Sequence, residues 1–184
     1  NRGAIIRNNI IRNHRARALM LKTSDVIIEN NKIFHSQMSG ITFEVEKYWM
    51  EGDYGSNIII RHNHFIDCGY GHDNRGEAAA GIINFVGMGD RKKYASAGQF
   101  KNILIEKNII NGAYHLPFVF TSCKNLTIKN NSISQTHFQP SRAGEALGID
   151  QRSMIWLRNC TGVSVNKNKY ERNAKYYSGQ ELNT

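Results

Sequence analysis

Six segments of the chain share one template: an apolar residue, any residue, an apolar residue, two polar residues, an asparagine, any residue, an apolar residue. They begin at Ala4, Val26, Ile58, Ile103, Leu126 and Val163, and their asparagines are Asn9, Asn31, Asn63, Asn108, Asn131 and Asn168. Those asparagines are 22, 32, 45, 23 and 37 residues apart. Two intervals are thus one bare coil of 22–23 residues, and the others are coils carrying a loop. A repeat of this length cannot bury its own apolar face and must stack on its neighbours. Alternation within each template sends one side of a short strand inward. Asparagine tolerates the left-handed turn conformation and, stacked on itself, can ladder its amide along the axis.

Composition separates strand solenoids from helical ones. The chain has 28 Ile plus Val against 8 Leu, a bias toward strands, with 21 Asn and 2 Pro. The low Leu count, with no Leu periodicity, argues against a leucine-rich solenoid. Further strand candidates lie between the templates, at 19–21, 41–45, 82–86, 118–120 and 155–157. Two or three strands per coil predict an all-β, right-handed parallel β-helix of about six coils, spanning residues 1–184 as one domain. The first coil opens at Gly3 without a polar cap, and the chain begins at Asn1 rather than Met. The expectation is a solenoid truncated at the N-terminus, a piece of a longer protein that is less stable or aggregation-prone alone.

Nothing in the sequence resembles a membrane-spanning apolar run or a signal peptide. Cys123 and Cys160 each stand eight residues before their template asparagine, so they are expected in one column of the stack as small buried side chains. Trp156, mid-strand between Ile155 and Leu157, should face opposite to them and cover a loop, and His62 and His64 read as turn surface.

Charge is unevenly placed. The net charge is +9, yet seven of the 15 acidic residues fall between Glu44 and Glu77: Glu44, Glu46, Glu51, Asp53, Asp67, Asp73 and Glu77. An acidic island would repel a phosphate backbone, which argues against nucleic acid as partner. Register sharpens the island. Asp67 lies four residues after Asn63, as Asn13 and His35 lie after Asn9 and Asn31, so Asn13, His35 and Asp67 should form a column at a spacing of about 4.8 Å. In the strand 41–45, Ile41, Phe43 and Val45 are expected inward and Thr42, Glu44 and Glu46 outward, with Tyr48 and Trp49 next. Glycosidic hydrolysis requires two carboxyl groups, roughly 6.5–9.5 Å apart for inversion and about 5–5.5 Å for retention, and Trp49 beside them is suited to stacking on a sugar ring. Arg15 and Arg17, one coil earlier, could hold sugar hydroxyls.

Residues 13–18 (Asn-His-Arg-Ala-Arg-Ala), 26–31, Phe43-Glu44 before Tyr48-Trp49, Glu51-Gly52, and 57–63 with Phe65, Cys68 and Tyr70 together resemble the β-helical exo-α-1,3-galactosidases, glycoside hydrolase family 110. The likeness covers roughly residues 2–71. It implies an inverting, cofactor- and metal-independent hydrolase, secreted or periplasmic in bacteria, that removes a terminal α-linked galactose from an oligosaccharide or polysaccharide. It places the active-site acids at Glu46 and Asp67 and sugar contacts at Arg15, Arg17 and Trp49. Position along the coils adds Glu44 as an acid should the strand register slip, and Tyr48 and His35 as further sugar contacts. The family pattern differs in having Asp where Glu46 stands, and the insert from Gly69 to Phe100 has no counterpart in it. Two other readings remain open. One is a uronate lyase or epimerase holding Ca²⁺ at Asp53, Asp67 and Asp73. The other is a non-catalytic carbohydrate-binding module.

Overall fold

A computed structural model describes residues 2–45, 51–71, 73–89, 93–114, 116–171 and 175–184. The first sheet contains β1 (Ile5–Arg7), β4 (Val26–Glu29), β7 (Ser56–Arg61), β10 (Phe100–Glu106), β13 (Cys123–Lys129) and β16 (Thr161–Asn166). The second holds β2 (Ile10–Arg12), β5 (Lys32–Phe34), β8 (His64–Cys68), β11 (Ile109–Ala113), β14 (Ser132–Thr136) and β17 (Lys169–Tyr170). In the third are β3 (Leu19–Leu21), β6 (Ile41–Glu44), β9 (Ile83–Val86), β12 (Phe118–Thr121), β15 (Ile155–Arg158) and β18 (Leu182–Asn183). Every pairing within the three sheets is parallel, and each strand pairs with its equivalents one coil away, which makes the fold a right-handed parallel β-helix of six three-stranded coils. Each strand expected between the templates is present.

The axis is filled by one apolar core in which Val26, Ile28, Ile58, Ile60, Ile105 and Ile128 are fully buried. Phe43, Phe85 and Phe120 are partners in the third sheet, with ring centroids 4.7 and 5.4 Å apart. Burying each such ring stabilises the stack by about 1.5–3 kcal/mol.

The six template asparagines stand in one column. The side-chain oxygen of each of Asn31, Asn63, Asn108, Asn131 and Asn168 accepts both the backbone N–H and the amide of the asparagine one coil earlier, at 2.9–3.1 Å. The amides of Asn31, Asn63, Asn108, Asn131 and Asn168 also donate to carbonyls of the preceding coil, Ile6, Ile28, Ile60, Ile105 and Ile128. The left-handed turn, however, belongs to the residue just before each ladder asparagine: Asn8, Asn30, His62, Lys107, Asn130 and Lys167, with φ of 53–59°. Turning the chain one residue early aims the next side chain into the stack, where its amide meets only backbone and another amide.

The outer face of the third sheet is covered rather than solvated. Thr42, Asn84, Val119 and Trp156 form one outward column by register, and each is at most 1% exposed. Loops on both sides of β9, together with residues 139–153, close over them and build a second apolar layer of Ala80, Leu116, Val119, Ala143, Ile149 and Trp156. Gln151 pins this layer, donating to the carbonyls of Ala80 and Ala143 at 3.0 and 2.8 Å and accepting from Leu116 N–H. Glu145 clasps it from outside through Arg75 and Arg142, at 2.7 and 2.9 Å. Among the described residues no helix is long and apolar enough to cross a membrane.

Candidate active site

The end of the second sheet carries the column that register predicts. Asn13, His35 and Asp67 all adopt left-handed backbone, with φ of 56°, 54° and 48°. That geometry, shared with Gly112 and Gln135 in the next two coils, turns each side chain outward at the same corner. His35 Nδ1 lies 3.3 Å from Asn13 Oδ1, and His35 Nε2 lies 3.6 Å from Asp67 Oδ2. His35 and Asp67 are about half exposed. Gly112 makes room for the carboxylate, since a Cβ there would stand 2.1 Å from Asp67 Oδ1. Asn13, His35 and Asp67 line an open hollow of about 320 Å³ together with Tyr70 and Tyr114.

A second cluster lies at the third sheet. The strand register is the one expected: Ile41, Phe43 and Val45 are buried, and Glu44 ends β6 on the outward side. Arg17, in the bend before β3, donates to Glu77 at 3.1 Å and has Glu44 Oε2 at 3.9 Å. Glu77 also accepts the N–H of Ala79, so the 69–100 insert supplies Arg17 with its nearest anion. The two clusters share no residue. Arg15 is exposed in the same bend as Arg17. Glu46, Tyr48 and Trp49 lie outside the described residues.

The acids of a calcium-dependent reading are dispersed. Asp67 faces the hollow, Asp73 accepts the backbone N–H of Arg142, and Asp53 lines a different hollow with Lys22 and Ser24. Among the described residues no three His, Cys, Asp or Glu side chains converge as a metal site. Cys123 lies over Cys160 as expected, both as free thiols, but only Cys123 is fully buried, because Cys160 sits in the last full coil where less of the stack covers it; burial pushes the Cys123 thiol up. His64 is partly buried in β8 beside Lys32, and burial followed by that charge lowers its pKa.

Residues 1–87 match the family described as a right-handed β-helix region. The chain is 29% identical over 168 residues, 90% of its length, to α-1,3-galactosidase B of Akkermansia muciniphila. It is 30% identical over 142 residues, 76% of its length, to α-1,3-galactosidase A of Bacteroides fragilis. α-1,3-Galactosidase B of Phocaeicola vulgatus is 28% identical over 169 residues, 89% of the chain. The chain is a β-helix related to the bacterial α-1,3-galactosidases. It spans 20%, 22% and 27% of the lengths of these three curated relatives. The matched region includes coils beyond residue 71, more of the chain than the sequence motifs alone covered.

Sequence reasoning missed Tyr114 altogether, and it named Tyr70 in the family likeness and Glu77 in the acidic island without assigning either a place at a site. The two tyrosines were accessible to it, because each stands six or seven residues after its ladder asparagine, in adjacent coils. Glu77 stood out by charge alone, since a loop without the repeat has no register to say what it meets.

Proposed function

We propose that this β-helix is part of a glycoside hydrolase that removes a terminal α-linked galactose from oligosaccharides with inversion. The supporting observation is the Asp67 corner, where a carboxylate, an imidazole and an amide from three successive coils face a hollow walled by two tyrosines. In this reading Asp67 and Glu46 flank the scissile bond. One protonates the leaving oxygen and the other draws a proton from the attacking water, so roughly 6.5–9.5 Å must separate them. His35, set between Asn13 and Asp67, holds the carboxylate, and His35 and Asn13 offer hydrogen bonds to sugar hydroxyls, while Arg15, Tyr48 and Trp49, with Arg17 oriented by Glu77, hold the ring. Glu44 is assigned a structural part, because Arg17 engages it and the strand register has not slipped.

The described lining of the hollow contains neither Lys nor Arg and does contain a carboxylate, which favours a neutral sugar over a uronate. The hydrolase reading also places the protein outside the cytoplasm, secreted or periplasmic, as expected for an enzyme that meets extracellular glycans.

The test is a reducing-sugar screen of the full-length protein over α- and β-galactosides and uronate polymers, with and without a chelator. Turnover of α-galactosides should survive chelation. Asp67→Asn and Glu46→Gln should each reduce it by about 10²–10⁴-fold while binding persists, the loss expected when general acid–base help is removed. Proton NMR of the first product anomer should show inversion. Chelator-sensitive cleavage of a uronate polymer would instead establish the lyase or epimerase, and glycan binding without turnover would establish the binding module.

A further inference from the structure

The hollow at Asp67 does not end at its own coil. Tyr70, Tyr114 and Phe138 follow the same corner in three successive coils, with ring centroids 5.8 Å apart at each step. The backbone carries them in step: Tyr114 N–H donates to the carbonyl of Cys68, and His137 N–H to that of Ala113. Tyr70 and Phe138 are 37% and 51% exposed, which is a large apolar area for a solenoid to leave in water without use.

Beside the rings runs the left-handed column. From Asp67 it continues through Gly112, which adds no side chain, to Gln135, which is exposed. The strip therefore has a hydrogen-bonding edge and an aromatic edge. A pyranose is built the same way, with hydroxyls around its rim and C–H groups on its faces, and the C–H faces pack on aromatic rings. Tyr70 and Tyr114 line both the hollow and the strip, so a chain seated at Asp67 would pass onto Phe138 without a break.

Building on the hydrolase reading, we propose that Tyr70, Tyr114 and Phe138 form the binding strip for the leaving-group side of a neutral oligosaccharide. Its terminal sugar sits toward Asn13, and its remaining units run toward the later coils. The preferred substrate is then longer than a disaccharide, and Phe138 sets the preference for length without touching the reacting bond.

The experiment uses the full-length protein, Phe138→Ala and Tyr70→Ala. Both side chains are exposed, and unchanged melting temperatures would verify that the variants fold. Binding to neutral oligosaccharides of two to five units, some ending in α-galactose, is measured by calorimetry on the Asp67→Asn background, and kcat/KM is measured on the active protein. Wild type should bind and cleave longer chains better than the disaccharide. Phe138→Ala should weaken binding and lower kcat/KM about 10-fold for the long chains, the size of one lost stacking contact, and leave the disaccharide unchanged.

Equal loss on all lengths, no dependence on length in the wild type, or failure of every neutral glycan to bind would overturn the strip. Length-dependent binding that needs Phe138 but comes with no hydrolysis would uphold the strip and overturn the hydrolase reading instead.

Discussion

Asp67 has its orientation because its neighbour in the next coil has no side chain. Gly112 has φ of 84°, and a Cβ there would meet Asp67 Oδ1 at 2.1 Å. Gly112→Ala must therefore push the carboxylate aside. Displacement of a reacting group by about 1 Å can cost on the order of 10²-fold in rate, so kcat should fall while KM moves little. In the Asp67→Asn background the same change should do almost nothing further to turnover. Additive losses would mean that Gly112 acts by some other route.

His137 makes a prediction of a different kind. It is 1% exposed, with Nε2 3.1 Å from the carbonyl of Ser153 and Nδ1 2.8 Å from Thr136 Oγ1, and burial lowers its pKa from 6.5. Below about pH 6.5 the unfolded chain binds a proton that the folded imidazole refuses, so His137's contribution is complete above that pH and declines as the pH falls. His137→Asn keeps a residue suited to the left-handed φ of 57°. Its melting temperature should drop less than that of wild type between about pH 7 and pH 5. Parallel slopes for the two proteins would refute this.

At the scale of elements, the asparagine ladder and the exposed ladder beside it separate two roles for one residue type. Asn108 is fully buried and joins four groups: Asn63 N–H, the Asn63 and Asn131 side chains, and the Ile60 carbonyl. Asn102 bridges Asn57 and Asn125 in solvent, with φ of 55°. Asn108→Ala strands a buried N–H and a buried carbonyl and should cost about 2–4 kcal/mol. Asn102→Gly keeps the backbone conformation and should change stability by less than about 0.5 kcal/mol. Denaturant melts of the two variants would check the contrast, and equal losses would show that the ladder is not what the burial is for.

The same elements divide into what the repeat makes legible and what it does not. Asn63 and Phe65 were legible because a strand of period two hung on a repeated asparagine fixes which side each residue takes, and Asp67 because its offset of four from that asparagine matches Asn13 and His35; its left-handed backbone, which breaks the alternation before buried Cys68, turns it outward. The exact place of the left-handed turn was not, since Asn8 and Asn9 are both asparagines and the pattern does not say which one turns.

Over the whole molecule, legibility follows translation. Wherever one coil repeats another, the sequence supplies its own ruler, and the strands, the core and the Asn13–His35–Asp67 column came from that ruler. The covering loops belong to no repeat. Their fit over Thr42, Asn84 and Trp156, and the capture of Arg17 by Glu77, depend on contacts between segments far apart in sequence, such as the 71 residues between Ala80 and Gln151. The acidic island divides accordingly: Asp67 stands on the ruler, while Asp73 and Glu77 hold the loops together.

The asparagine ladder also makes the stack vectorial. From Asn31 to Asn168 every side-chain oxygen accepts from the coil before it, so the side-chain carbonyls of the ladder all point the same way, while the amides of Asn31 to Asn131 give hydrogens to both neighbouring coils. One terminus of such a rod offers acceptors and the other offers donors. The asparagine column can be carried from one rod into another only head to tail, the heterologous arrangement, because a head-to-head junction would set like side-chain dipoles against each other. The fold thereby specifies a sense of growth along its axis as well as a cross-section.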